Sequence, residues 1–170
     1  MKRVLFPALL AVAGAAQADY KVDVKRIDGF GVHESVGTVA ISANPGGGVA
    51  FKPDLKNLPA GSRGFHVHEK PDCGPKEKDG KKTAGEAAGP HWDPDKSGKH
   101  AGPKGKGHRG DLPTLEVATN GTANKTIVAP NLKLADLGGK SLMIHSGGDT
   151  YAEPPANGGG AERIACGVIK

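Results

Sequence analysis

Gly64-Phe65-His66-Val67-His68-Glu69 is a short apolar segment carrying two histidines at period two. Side chains alternate across a strand, so His66 and His68 share one face while Phe65 and Val67 occupy the other. Outward from this segment the chain repeats the same kind of piece. Residues 20–26 alternate Tyr, Val and Val against Lys, Asp and Lys; 36–41 is β-branched, and Asn44-Pro45-Gly46-Gly47-Gly48 turns the chain into 49–52. Further strand candidates lie at 115–118, 125–128, 141–145 and 164–169, and only 131–137 suggests a short helical turn. Short strands punctuated by Gly, Pro, Asn and Asp predict an all-β fold, an antiparallel sandwich or barrel.

Two stretches, 69–111 and 146–162, are too rich in Gly, Pro, Lys and Asp to read as strands. Long loops of this kind in a compact domain are functional or disordered. His91, His100 and His108 sit inside the first, and a metal can order a loop that has no core of its own.

The ends and the composition set further bounds. Lys2 and Arg3 precede an apolar run, 4–15, and Ala16-Gln17-Ala18 offers a small-x-small cleavage site. That order matches a secretory signal peptide over 1–18, leaving a single domain over 19–170; the run is too short to span a bilayer. No later segment approaches a membrane span, so the mature protein is expected to be soluble. Its formal net charge of +5 would fall by two on loss of Lys2 and Arg3. The lysines are mixed with acids and glycines and form no Arg-rich stripe interleaved with aromatics, which argues against nucleic acid as a partner. Export also means an oxidising compartment, where Cys73 and Cys166, the two cysteines, are expected to pair rather than remain free thiols. Closing so long a loop would contribute about 4–5 kcal/mol through loop entropy.

Six of the seven histidines fall into a pattern with chemistry. His66 and His68 on one strand face can chelate a metal at two points. His91, His100, His108 and Asp111, spaced nine, eight and three residues apart, are a nitrogen and oxygen set suited to tetrahedral zinc. His145 ends a buried-looking run, 141–144, and adds a third imidazole to the first pair. Imidazole ligands without a thiolate suit a solvent-open copper site better than a blue electron-transfer centre. His33 stands apart from these motifs and reads as a surface residue.

The segments Gly64-Phe65-His66-Val67-His68-Glu69, Gly89-Pro90-His91-Trp92-Asp93-Pro94 and Gly98-Lys99-His100-Ala101-Gly102-Pro103 resemble the bacterial copper/zinc superoxide dismutases. So do Gly107-His108-Arg109-Gly110-Asp111-Leu112-Pro113, Leu142-Met143-Ile144-His145, Gly147-Gly148-Asp149 and Ala165-Cys166-Gly167-Val168-Ile169, in family order over nearly all of 19–170. The resemblance implies a Greek-key antiparallel barrel of about eight strands with two long metal-site loops. It implies His66, His68, His91 and His145 as copper ligands, with His91 bridging to a zinc held also by His100, His108 and Asp111. Asp149 would hydrogen-bond one ligand of each metal, Arg163 would draw superoxide to the copper, and a Cys73–Cys166 disulfide would pin the long loop to the last strand. The implied activity is dismutation of superoxide to dioxygen and hydrogen peroxide, in the periplasm, by a protein that occurs in the family as monomer or homodimer. Two departures stand out: Pro90 before the bridging histidine, and Glu162 beside Arg163, where it could pair with the arginine and weaken anion attraction. A different class, a periplasmic protein that stores or delivers copper and zinc, would use the same ligands but has no need of Arg163 or a shared histidine.

Overall fold

The computed structural model describes residues 19–170, so the signal-peptide reading of 1–18 lies outside the described residues. Eleven strands follow in order: β1 (Tyr20–Asp28), β2 (Gly31–Ala43), β3 (Val49–Leu55), β4 (Gly61–Arg63), β5 (Phe65–His68), β6 (Lys76–Lys78), β7 (Lys81–Thr83), β8 (Leu115–Val117), β9 (Ile127–Ala129), β10 (Lys140–His145) and β11 (Arg163–Ile169). Short 3₁₀ turns at Glu86–Ala88, Leu134–Asp136 and Ala156–Gly159 are the helical pieces among the described residues. Seven strands form one antiparallel sheet in the order β5-β10-β11-β1-β2-β3-β9, and β4-β8 is a separate ribbon. The last strand lies beside the first, so a meander (β1-β2-β3) and a C-terminal hairpin (β10-β11) meet in a Greek-key sheet curled into a half-barrel.

Every strand expected from the sequence is present. The pieces that composition concealed are β4, the N-terminal part of β2, and the β6-β7 hairpin inside the first long loop. These are lysine-rich or polar three-residue strands, or a polar extension, without an apolar alternation to reveal them.

Alternation explains the core. In β3, Val49, Phe51 and Leu55 are buried while Lys52 and Asp54 are exposed. Phe51 and Phe65 meet edge to face with ring centroids 5.9 Å apart. These side chains join Val22, Val24, Leu142, Ile144, Ala165 and Ile169, and Leu115 and Val117 of β8 belong to the same cluster.

Strands β5 and β10 are buried on both faces. Phe65, Val67, Leu142 and Ile144 point into the barrel. His66 pairs with Met143, and His68 with Ser141, on the outer face. Here Met143 belongs to a second apolar cluster with Ile27, Cys73, Ala88 and Cys166, covered by the long loop. The barrel supplies a rigid wall, and the chemistry is built on its outside.

Candidate metal centre

The loop 69–111 folds back on β5 by extending its hydrogen-bond ladder. The Trp92 N–H donates to the Val67 carbonyl, the Val67 N–H to the Gly110 carbonyl, and the Gly110 N–H to the Trp92 carbonyl, each at 2.9 Å. His91 thereby comes opposite His68, and Asp111 opposite His66. Residue 110 must be glycine, because a Cβ there would lie 2.2 Å from the Val67 oxygen and 2.9 Å from the Trp92 nitrogen. His145 ends β10 on the same outer face as Met143, and its N–H donates to the Gly64 carbonyl.

Two sets of donors result. His66, His68, His91 and His145 converge with one ligand atom each, mutually within 4.8 Å; so do His91, His100, His108 and Asp111. His91 belongs to both. In the second set Asp111 Oδ1 lies 2.9 Å from His91 Nδ1 and 3.4 Å from His108 Nδ1, and Oδ2 lies 3.0 Å from His100 Nδ1. Asp149 joins the sets, accepting from His66 Nε2 at 2.8 Å and from His100 Nε2 at 2.7 Å.

The donor atoms fit metal ions. Nδ1 of His66, Nε2 of His68 and Nε2 of His145 are buried without a hydrogen-bond partner, and Nδ1 of His100 and of His108 have the Asp111 carboxylate beside them. An orphaned buried polar atom costs about 1–3 kcal/mol. In four of these rings the other nitrogen is already committed as a donor: His66 and His100 to Asp149, His68 to the Gly89 carbonyl at 2.8 Å, and His145 to the Ala161 carbonyl at 3.4 Å. On His66, His68 and His145 that pattern leaves a lone pair aimed inward, as outer hydrogen bonds do for metal-ligating imidazoles.

Electrostatics agree. Burial pushes His68 well below the usual imidazole range, His91 down to about 4 and His145 to about 2, the neighbouring rings adding to the effect. These rings are neutral and ready to coordinate. Burial also lowers His100, but Asp111 and Asp149 outweigh it and raise the ring to about 9, which reflects how strongly this corner attracts positive charge. Burial opposes ionisation of Asp111 and Asp149 too, yet the hydrogen bonds from His100, with His91 for Asp111 and His66 for Asp149, hold both far below the ordinary carboxylate range.

A cavity of about 800 Å³ opens onto His91, His145 and Arg163. Arg163 is fixed at its mouth by the Gly85 carbonyl at 2.7 Å and the Gly89 carbonyl at 3.0 Å. Glu162, which by its place in the sequence could have paired with Arg163, does not do so. The Glu162 backbone is tied to Ser146 instead, and the carboxylate beside Arg163 is that of Glu86, at 3.7 Å. A register shift in β11 is the reason: His145 pairs with Arg163 rather than with the next residue, which turns Arg163 to the outer face and leaves Glu162 exposed. Glu86 was missed because it sits in a loop rich in charges, where nothing marks one acid over another. His33 does lie apart from the metal sets, 2.9 Å from Asp28.

The copper/zinc superoxide dismutase (SODC) family pattern matches residues 35–169. The chain belongs to the copper/zinc superoxide dismutase family. It is 48% identical over 165 residues to a Cu-Zn superoxide dismutase of Escherichia coli (strain K12), covering 96% of this chain and 95% of that one. With superoxide dismutase [Cu-Zn] 2 of Salmonella typhimurium it shares 51% identity, over 95% of this chain and 94% of the relative. The solved Cu/Zn superoxide dismutase from Brucella abortus superposes with a TM-score of 0.86 at 48% identity, covering 88% of this chain and 98% of that one. A solution structure titled as the monomeric copper, zinc enzyme from Salmonella enterica gives 0.79 at 49%, with coverages of 88% and 98%. As a member of this copper/zinc superoxide dismutase family, the chain is an oxidoreductase acting on superoxide with copper and zinc, and a metal-storage reading gives way to it. Cys73 and Cys166 are disulfide-bonded. Among the described residues no helix is long and apolar enough to cross a membrane.

Proposed function

We propose that His66, His68, His91 and His145 hold the copper, that His91, His100, His108 and Asp111 hold the zinc, and that the enzyme works in the periplasm after cleavage behind Ala18. One observation carries the assignment: a single ring, His91, is a member of both donor sets. When bound, copper supplies one-electron chemistry that relays an electron from one superoxide to a second, so that two superoxide ions and two protons become dioxygen and hydrogen peroxide.

The chain does the rest. Nδ1 of His91 faces Asp111 in the second set, so Nε2 is the atom that can hold a proton and release it to the outgoing peroxide. Arg163 presents a fixed positive charge in the cavity, and a positive funnel raises the encounter rate of an anion. Asp149 orients one ring of each set and keeps their unshared nitrogens in register.

His91→Ala is expected to lose most dismutase activity and to loosen both metals, read by metal content after dialysis against a chelator. Wild-type retention of both ions in that variant would refute the shared ligand. Export is checked by N-terminal sequencing of the periplasmic fraction, which should begin at Asp19; a product starting at Met1 refutes it. Homodimer formation is the remaining proposal, and light scattering that gives a monomer mass at micromolar concentration refutes it.

A further inference from the structure

Asp149 has a third donor. The Tyr151 N–H donates to its Oδ1 at 2.7 Å, the same oxygen that accepts from His100. To make this bond Tyr151 adopts φ 56°, a left-handed conformation unfavourable for a residue with a Cβ, which persists where the surroundings enforce it. The enforcement is visible at the two ends of the side chain. The Tyr151 hydroxyl accepts the Thr114 N–H at 2.8 Å, three residues past Asp111. Its side chain lies against Gly102, two residues past His100: a Cβ on Gly102 would come within 2.6 Å of Tyr151 Cβ and 2.7 Å of Cγ. One side chain thus ties the loop 146–162 to the segments that carry two of the proposed zinc ligands, and does so directly over the carboxylate that orients both metal sets.

We infer that Tyr151 is a positioning residue, a clasp that sets the Asp149 carboxylate and thereby controls zinc retention and the geometry of His66. The inference rests on the assignment of zinc to His91, His100, His108 and Asp111. It requires tyrosine for two separable reasons: the ring fills the space over Gly102, and the hydroxyl satisfies a backbone donor that would otherwise be left without a protein partner.

The test uses protein loaded with copper and zinc. Zinc release to a chromophoric chelator, pyridylazoresorcinol, is followed for wild type, Tyr151→Phe and Tyr151→Ala, together with the copper(II) electron paramagnetic resonance spectrum. Tyr151→Ala should release zinc about tenfold faster, in the range found for outer hydrogen-bond partners of metal ligands, and should shift the copper spectrum through His66. Tyr151→Phe keeps the ring over Gly102 and should fall between the two. Wild-type release and an unmoved spectrum in Tyr151→Ala overturn the inference. Faster release with an unmoved copper spectrum overturns it as well, because an effect carried by the Asp149 carboxylate would also reach His66, which that carboxylate holds. A wild-type protein that holds no zinc overturns the metal assignment and the inference together; one that holds zinc normally while both variants match it overturns the inference alone.

Discussion

Arg163 is surrounded by acceptors of unequal importance. Two carbonyls, of Gly85 and Gly89, grip the guanidinium within hydrogen-bond distance, whereas the Glu86 carboxylate stands 3.7 Å off and also faces Lys78 at 3.4 Å. The carbonyls position the arginine, so Glu86 is not needed to hold it. What Glu86 adds is negative charge in the cavity through which an anion must pass. Glu86→Gln is therefore expected to raise the bimolecular rate with superoxide about twofold at low ionic strength, with the gain shrinking as salt screens it. Pulse radiolysis across an ionic-strength series checks this. A rate and salt slope equal to wild type would show that Glu86 has no steering role.

At the scale of elements, two backbone irregularities decide what the side chains can reach. The shift in β11 places Arg163 opposite His145 and on the outer face, although strict alternation from Ala165 would have sent it inward. The Trp92–Val67–Gly110 ladder makes part of the long loop behave as an added strand on β5, and brings His91 and Asp111 into register with His68 and His66 without any apolar alternation of its own. Trp92 helps by packing against the barrel core under the Lys140 ammonium, 5.0 Å from its ring. Gly110→Ala forces a methyl into the Val67 carbonyl, so the ladder must open. The expected cost is about 2–4 kcal/mol, the range of severe steric substitutions, with zinc retention lost in parallel. A urea midpoint and zinc content unchanged from wild type would mean the loop is held in some other way.

The whole molecule has a covalent cross-link, and the proposed metal sites would add an ionic one. The Cys73–Cys166 disulfide spans 93 residues of sequence and joins the loop to β11 within the outer apolar cluster. Cys73→Ser with Cys166→Ser should lower stability by about 2–5 kcal/mol, a fall in Tm of about 10 °C for a domain of this size. The proposed ligands His91, His100, His108 and Asp111 lie on the same loop, and ions that bind only the folded state stabilise it by mass action. Chelation should thus lower Tm further, and the combined loss should exceed either alone. Calorimetry of four samples, with and without disulfide and metals, decides it; a disulfide-free protein as stable as wild type in both metal states would contradict the account.

Much of this protein is legible in its residues. Period-two alternation such as Tyr20 to Arg26 marked strands, because burying one sheet face leaves that signature in the sequence. The imidazole and carboxylate donors were legible too, because few side chains can coordinate a metal and they stand in apolar or glycine-rich settings. Tertiary structure alone decided how distant pieces meet: that Glu86 rather than Glu162 accompanies Arg163, that Tyr151 reaches Asp149, Gly102 and Thr114 at once, and that β6 and β7 pair inside a charged loop. Those contacts depend on loop closure, a register shift and backbone hydrogen bonds that bring distant segments together, and these are made by atoms that nearly every residue shares, so the side chains that finally meet carry no mark of their partners in the sequence.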